Sequence, residues 1–381
     1  MDYASERQAM VARLRRRQAV SDRVAAAMLA VPRHLFLPGV EPESAYEDVP
    51  IVTKRDEQGR PISSSSQPSI MATMLDQLGV EPGHRVLEIG AGTGYNAALL
   101  DHLAGPEGHV VTVDIDQDVA ERARAHLLAA GRPRVEVVLG DGGQGHAARA
   151  PYDRLIATVG AWDLAPAWAG QLGAGGRLVA PLDLRGMQVS AAMERDGDHW
   201  TSRSVAPCGF MRMRGPFAGT ETMLVLGPGT ELMLELAEPR DLGDLGAALD
   251  AAPVDVATRV GDTDAPMPAA VGAGLWLALR DPRWCMLMGK LDGGYGMSIG
   301  LAERDNLAWL TSRQPMLARG HGPDAARLAE DLAAHVADWD EAGRPGADDL
   351  RIDAYPTGTP VPEGVGLTVR KRHTTLVVTY P

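Results

Sequence analysis

A carboxylate and three alternating glycines stand together in residues 86–94, Val-Leu-Glu-Ile-Gly-Ala-Gly-Thr-Gly. Glycine lets the backbone pass close beneath a ligand, and Glu88 can offset a cationic group through space or water. The spacing narrows the ligand. A dinucleotide fingerprint reads G-x-G-x-x-G, and its third glycine would fall on Tyr95. The third glycine is Gly94 instead, giving E-x-G-x-G-x-G. A pyrophosphate seated on a helix N-terminus is therefore not the expected ligand. Two further acids, Asp114 and Asp141, follow short apolar runs. An acid ending the second strand of a doubly wound fold accepts hydrogen bonds from ribose hydroxyls. A second reactive group is the run Ser63-Ser64-Ser65-Ser66 ahead of Gln67-Pro68. Its hydroxyls, and the amides of a helix starting there, can hold a carboxylate without neutralising it.

The elements that must position these groups alternate. Strands are predicted at 86–89, 109–114, 135–139, 152–158 and 177–182. Helices are predicted from Tyr95, over 119–130 with Asp116 as N-cap, and at 164–172. Such alternation argues for a parallel sheet covered on both faces. Upstream, 5–31 reads as one helix ended by Val31-Pro32, followed by a hairpin around Glu57-Gln58-Gly59. A helix then runs from the serines to about Leu78. Beyond Gly215-Pro216 the composition shifts to short apolar runs broken by Gly, Pro and Asp, with one amphipathic helix at 324–341.

The chain has 381 residues and a formal net charge of −13. That length suits two domains, and the charge argues against nucleic acid or an anionic membrane as partner. The basic run Arg13, Arg15, Arg16 and Arg17 reads as a solvated helix face. Two distant cysteines, Cys208 and Cys285, give neither a disulfide framework nor zinc spacing. The histidines lack ligand spacing, so no metal site is expected. Without a signal-like or membrane-spanning run, the expected location is cytoplasmic.

The glycine turn resembles the first motif of class I methyltransferases that use S-adenosyl-L-methionine and release S-adenosyl-L-homocysteine. More specifically, 31–38 (Val-Pro-Arg-His-Leu-Phe-Leu-Pro), 45–48 (Ala-Tyr-Glu-Asp), 62–68, 86–94, 140–142, 150–153 and 175–179 together resemble protein-L-isoaspartate O-methyltransferases, over about residues 5–215. The resemblance implies a doubly wound Rossmann-like α/β sheet. It implies cofactor contacts from Glu88, Gly90, Ala91, Gly92, Thr93, Gly94, Asn96, Asp114, Ile115, Asp141, Gly142 and Thr158. In methyltransferases an acid at the place of Asp141 commonly meets the adenine amino group. Ser66, with Ser65 beside it, is the expected catalytic serine. Ser64, Gln67, Tyr95 and Trp162 are expected on the substrate side.

Two departures from the family pattern stand out. The usual Ser-Ala-Pro-His reads Ser66-Gln67-Pro68-Ser69, and the chain continues about 165 residues past Gly215. That extension, with Ala161-Trp162-Asp163 and residues 208–215, resembles the branch found with lanthipeptide, lasso peptide and graspetide biosynthesis. The expected organisation is an N-terminal helical and lid segment (1–79), a methyltransferase domain (80–215) and a C-terminal α+β domain (216–381) that recognises peptide. The expected partner is a cyclised precursor peptide containing an aspartate, methylated on its side chain and led to aspartimide and then isoaspartate. Repair of isoaspartate in damaged proteins and a non-catalytic peptide carrier are the competing readings. An aspartate has an unperturbed pKa of about 3.9, so the acceptor is already ionised and no general base is required.

Overall fold

The computed structural model describes residues 3–220, 222–226, 232–258, 266–291, 294–311 and 316–380. In chain order the strands are β1 (Ile51–Arg55), β2 (Pro61–Ser65), β3 (Arg85–Ile89), β4 (His109–Asp114), β5 (Glu136–Leu139), β6 (Tyr152–Ala157), β7 (Leu172–Leu184), β8 (Met187–Asp196), β9 (His199–Pro207), β10 (Thr222–Val225), β11 (Leu232–Leu236), β12 (Val254–Ala257), β13 (Trp284–Leu291), β14 (Gly294–Glu303), β15 (Asn306–Leu310), β16 (Leu317–His321), β17 (Arg351–Pro356), β18 (Leu367–Arg370) and β19 (Thr374–Thr379). The helices are α1 (Ala4–Arg17), α2 (Asp22–Ala30), α3 (Pro42–Ala45), α4 (Pro68–Leu78), α5 (Tyr95–Ala104), α6 (Gln117–Ala129), α7 (Pro166–Gln171), α8 (Leu245–Asp250), α9 (Pro266–Arg280) and α10 (Ala325–Glu341).

The cofactor-type sheet runs β5-β4-β3-β6-β7 in parallel, as the alternation of strands and helices predicts. Its central strands are buried on both faces, so Val86, Leu87, Ile89, Val111, Val113, Leu155 and Ile156 read as unbroken apolar runs. β8 and β9 then add antiparallel, β8 turning back on β7 at Arg185-Gly186. Both turn residues have positive φ, 59° and 98°, the geometry a two-residue hairpin needs. The strand order reverses at β3, with β4 on one side and β6 on the other. A ligand crevice belongs there, at the carboxyl ends of the strands.

Two local readings change. The 5–31 stretch is two helices: the chain turns extended at Gln18, and Ser21 starts the second. Its side chain accepts from Val24 N–H at 3.2 Å and caps α2. The serines also do not open α4. Ser63, Ser64 and Ser65 finish β2, and the helix begins at Pro68 with Gln67 at the N-cap position.

The segment beyond 216 divides between two sheets. β10-β11-β13-β14-β15-β16-β12 form a second, antiparallel sheet backed by α10. β17, β19 and β18 instead return to the first sheet, where β17 pairs with β9 through Asp353↔Thr201 and Ala354↔Trp200. One continuous core joins both parts, from Leu182 and Val189 through Leu275, Trp284 and Leu328 to Ile352. Among the described residues, no helix is long and apolar enough to cross a membrane.

Candidate active site

The turn after β3 is built on backbone conformations that favour glycine. Gly90, Gly92 and Gly94 have φ of 100°, 52° and 86°. Bonds that hold the turn include Gly90 N–H to Val113 O at 2.8 Å, Gly92 N–H to Asp114 Oδ2 at 3.1 Å, Gly94 N–H to Ala91 O at 2.8 Å and Thr158 Oγ1 to Gly90 O at 2.7 Å. A side chain at Gly90 would meet Thr158 Oγ1 and Val159 Cγ1 at 2.9 Å. A Cβ at Gly92 would stand 3.5 Å from Ser64 O, so the serine strand and the glycine turn face each other across a narrow gap.

The gap opens into a cavity of about 770 Å³. Of the expected cofactor residues, Gly90, Ala91, Gly92, Thr93, Asn96, Asp114, Ile115, Gly142 and Thr158 line it. So do all the expected substrate-side residues of the lid, Ser64, Ser65, Ser66 and Gln67, and Tyr95. Four expected residues stand off the wall. Glu88 is wholly buried beneath the turn, where it accepts from Asn96 Nδ2 at 2.7 Å. Gly94 packs on α6, with Ala123 O and Leu127 at its Cα. Asp141 accepts from Gly143 N–H at 2.9 Å and caps a short 3-10 turn. Trp162 lies under the C-terminal segment, with Lys371 Nζ 4.8 Å and the Arg372 guanidinium 5.8 Å from its ring.

The Ala161-Trp162-Asp163 motif is thus a dock for the last strands. Asp163 accepts from His373 N–H at 2.5 Å and Thr374 Oγ1 at 2.6 Å. Asp183 nearby pairs with Lys371 at 2.7 Å and Arg212 at 3.2 Å.

Several residues of the site carry no readable spacing in the sequence. Arg33 is completely buried. Its guanidinium donates to Ala45 O at 2.9 Å, Ser66 O at 2.9 Å and Ser65 O at 3.4 Å, and lies 5.1 Å from the centre of the Tyr95 ring. It therefore sets the course of the serine strand. The 31–38 motif was the available signal for it. Asp48 Oδ1 accepts from Ser69 N–H at 2.9 Å, fixing the residue that replaces the family's histidine. Asp116 stands at the N-cap position of α6, as expected, but its side chain makes no capping bond; it pairs with Arg214 and, at 3.4 Å, with Lys54. Although burial opposes it, Arg214 and Lys54 hold the Asp116 carboxyl below its ordinary range. Asp348, from the loop before β17, also lines the cavity, and nothing in the sequence pattern marks it.

The acids have distinct characters. Burial raises the Asp114 carboxyl, with the Gly92 and Asp116 N–H groups partly offsetting it. Burial pushes Glu88 up to about 7, and its Oε2 has no hydrogen-bond partner. A buried, half-satisfied carboxylate beneath a glycine turn fits a ligand whose positive charge would favour ionisation. Ile115, partly exposed, and Asp114 can meet an apolar base and ribose hydroxyls. Both cysteine thiols are raised by burial, Cys285 to about 12, which disfavours their reactive thiolate form.

Because Glu88 rises from 4.5 to about 7 on folding, its contribution to stability is fully present below about pH 4.5. It is lost as pH climbs through 7, a change worth about 3 kcal/mol. Glu88→Gln is expected to flatten the decline in melting temperature of the cofactor-free protein between pH 5 and pH 8. An unchanged pH profile in the variant would refute this account of Glu88.

The parallel sheet, the glycine turn at its switch point and the acid at the end of β4 define a class I methyltransferase dependent on S-adenosylmethionine. The sequence profile of the protein-L-isoaspartate(D-aspartate) O-methyltransferase family matches residues 5–215. The chain belongs to that family and is a carboxyl methyltransferase. It is 42% identical over 179 residues to the protein-L-isoaspartate O-methyltransferase of Methanopyrus kandleri, covering 47% of this chain and 76% of that one. With the enzyme of that name from Methanoculleus marisnigri it shares 45% over 194 residues, 50% of this chain and 84% of the other. A solved structure titled protein-L-isoaspartate O-methyltransferase superposes with a TM-score of 0.54 at 24% identity, covering 91% of this chain and 96% of its own. That likeness concerns the fold, and it reaches well into the extension.

Proposed function

We propose that this enzyme methylates the side-chain carboxylate of an aspartate in a cyclised ribosomal peptide, such as a lanthipeptide, leading to aspartimide and then isoaspartate. The observation that carries the reading is Asp348. The extension reaches past the second sheet and contributes a wall residue to the cavity that holds the glycine turn and the serines. Substrate choice then depends on the extension, since one aspartate side chain offers little to recognise. Ser69 at the family's histidine position supports a changed acceptor.

When bound, S-adenosylmethionine supplies a methyl group on a cationic sulfonium. The protein's part is positioning, where oriented reactants gain roughly 7–11 kcal/mol. Ser64, Ser65 and Ser66 line the cavity, with Ser64 O across from Gly92, and their hydroxyls are neutral donors. They hold the acceptor without quenching it, as a bidentate arginine would. Arg33 keeps their backbone in place from behind. Ring closure follows when the next backbone nitrogen of the peptide attacks the ester carbonyl and methanol leaves. Water can then reopen the ring to isoaspartate.

The decisive experiment is mass spectrometry of a cyclised precursor peptide incubated with enzyme and S-adenosylmethionine. A gain of one methyl followed by loss of methanol is expected, with the linear precursor unreactive. Ser66→Ala is expected to lower kcat about tenfold with S-adenosylmethionine affinity unchanged; equal kcat would remove Ser66 from the mechanism. Repair of general isoaspartyl proteins is the second reading, favoured by the likeness of the extended fold to the solved structure of that title. Preferential methylation of a linear isoaspartyl peptide would select it.

A further inference from the structure

Strand register places a row of large apolar side chains across one face of the second sheet. Val225 pairs with Met233, Met233 with Met288, and Met288 with Met297. The adjacent row runs Met223, Glu235, Met286, Ile299. Directly paired residues share a face, so both rows lie on the same side. The other side is closed: Leu234 and Leu287 are wholly buried there, clustered with Leu307 and Trp309.

Among the described residues, the first face is covered at one end. Along β14, exposure climbs from 0% at Leu301 and 8% at Ile299 to 65% at Met297 and 73% at Tyr295. α9 lies over the covered end, where a side chain at Gly274 would meet Ile299. Val225 and Met223, on β10, are exposed too. Contiguous apolar patches of this kind on a soluble protein commonly mark an interaction site. Methionine suits one that must adapt to several shapes.

One ion pair links the patch to the catalytic cavity. Glu235, in the second row, is ion-paired to Arg212, and Arg212 lines the cavity. We propose that this methionine face is the bed for apolar residues flanking the acceptor aspartate of the peptide substrate. The assignment rests on the peptide-methylating reading given above. A peptide whose carboxylate sits beside the serines must leave the cavity somewhere, and Arg212, on the cavity wall, reaches Glu235 on this face. Among the described residues, the same side also carries one cation, Lys290, and one anion, Glu235, so the chemistry recognised there is chiefly aliphatic or aromatic.

The test uses the full-length enzyme and two head-to-tail cyclic peptides with one aspartate each, flanked by leucine and phenylalanine or by serine and threonine. Wild type is expected to esterify the apolar-flanked peptide with kcat/KM about tenfold higher. The double variant Val225→Glu, Met297→Glu is expected to lose that preference. Its S-adenosylmethionine affinity by calorimetry and its kcat/KM on the polar-flanked peptide should not change. A preference that survives in the variant, or none in wild type, overturns the proposal. Esterification of neither peptide by wild type, with turnover of a linear isoaspartyl peptide, overturns the underlying reading instead. Peroxide footprinting of Met223, Met233, Met288 and Met297 is the second measurement. Protection by the apolar-flanked peptide supports the bed. Protection that grows with enzyme concentration alone assigns the face to a second copy of the chain and overturns it.

Discussion

Arg33→Leu is expected to lower the unfolding free energy by about 3–5 kcal/mol and to cut methyl transfer by more than tenfold. The guanidinium is fully buried and satisfies three carbonyl oxygens from two separate segments, Ala45 on one side and Ser65 and Ser66 on the other. Leucine fills part of the volume and returns none of those hydrogen bonds. Each buried acceptor left bare costs about 1–3 kcal/mol. The activity loss has a separate cause, because the Ser65–Ser66 backbone would no longer be held over the cavity. Arg33→Lys should rescue little, since an ammonium cannot reproduce the planar fork that reaches both segments. Urea denaturation and turnover, measured on both variants, check this. A leucine variant as stable and active as wild type would show that the serine strand holds its course unaided.

Gly90→Ala is expected to weaken S-adenosylmethionine binding at least a hundredfold. The φ of 100° is strained for any residue with a side chain. The new methyl would also press on Thr158 Oγ1 and Val159 at 2.9 Å. Thr158 cannot retreat freely, because its hydroxyl bonds Gly90 O and its N–H bonds Ile89 O. Relief must come from the turn itself, which forms the cavity wall. Gly94→Ala makes the control. Its φ of 86° is also unfavourable, but its Cα faces Ala123 and Leu127 on α6. That variant should lose about 1–3 kcal/mol of stability while binding near-normally once folded. Calorimetric titration beside thermal melts separates the two. Equal affinity losses would mean the turn behaves as one rigid unit.

What was readable in the sequence was local. Glu88, the three glycines and Asp114 belong to strand-turn-helix units whose period and turn residues lie within a few positions of one another. The Asp56–Arg60 hairpin and α10 are of the same kind. The break at 18–21 carries no Gly or Pro to mark it, and the apolar residues of α1 and α2 on either side enter the same core cluster. Trp162 was read as a substrate residue because its loop follows β6. Its partners are Lys371 and Arg372, some 209 positions later in chain order. Arg33 and Asp348 reach the site by long-range packing, which leaves no periodicity. The return of β17 to β9 is likewise set by the closing of a sheet edge and not by any run of residues.

That return gives the chain an unusual layout for engineering. β9 and β17 are hydrogen-bonded neighbours although they end at Pro207 and begin at Arg351. The intervening stretch therefore leaves and re-enters the methyltransferase sheet at adjacent points, as an exchangeable cassette would. Cutting the chain at 217 removes three strands, bares the β9 edge to aggregation and strips Asp183 of Lys371. Replacing about 221–347 would keep those strands and Lys371, but the replacement must refill the core that Leu275, Trp284 and Leu328 share with Leu182 and Val189. Grafting the equivalent stretch from a relative, with its core-facing residues, would test whether that stretch sets peptide choice.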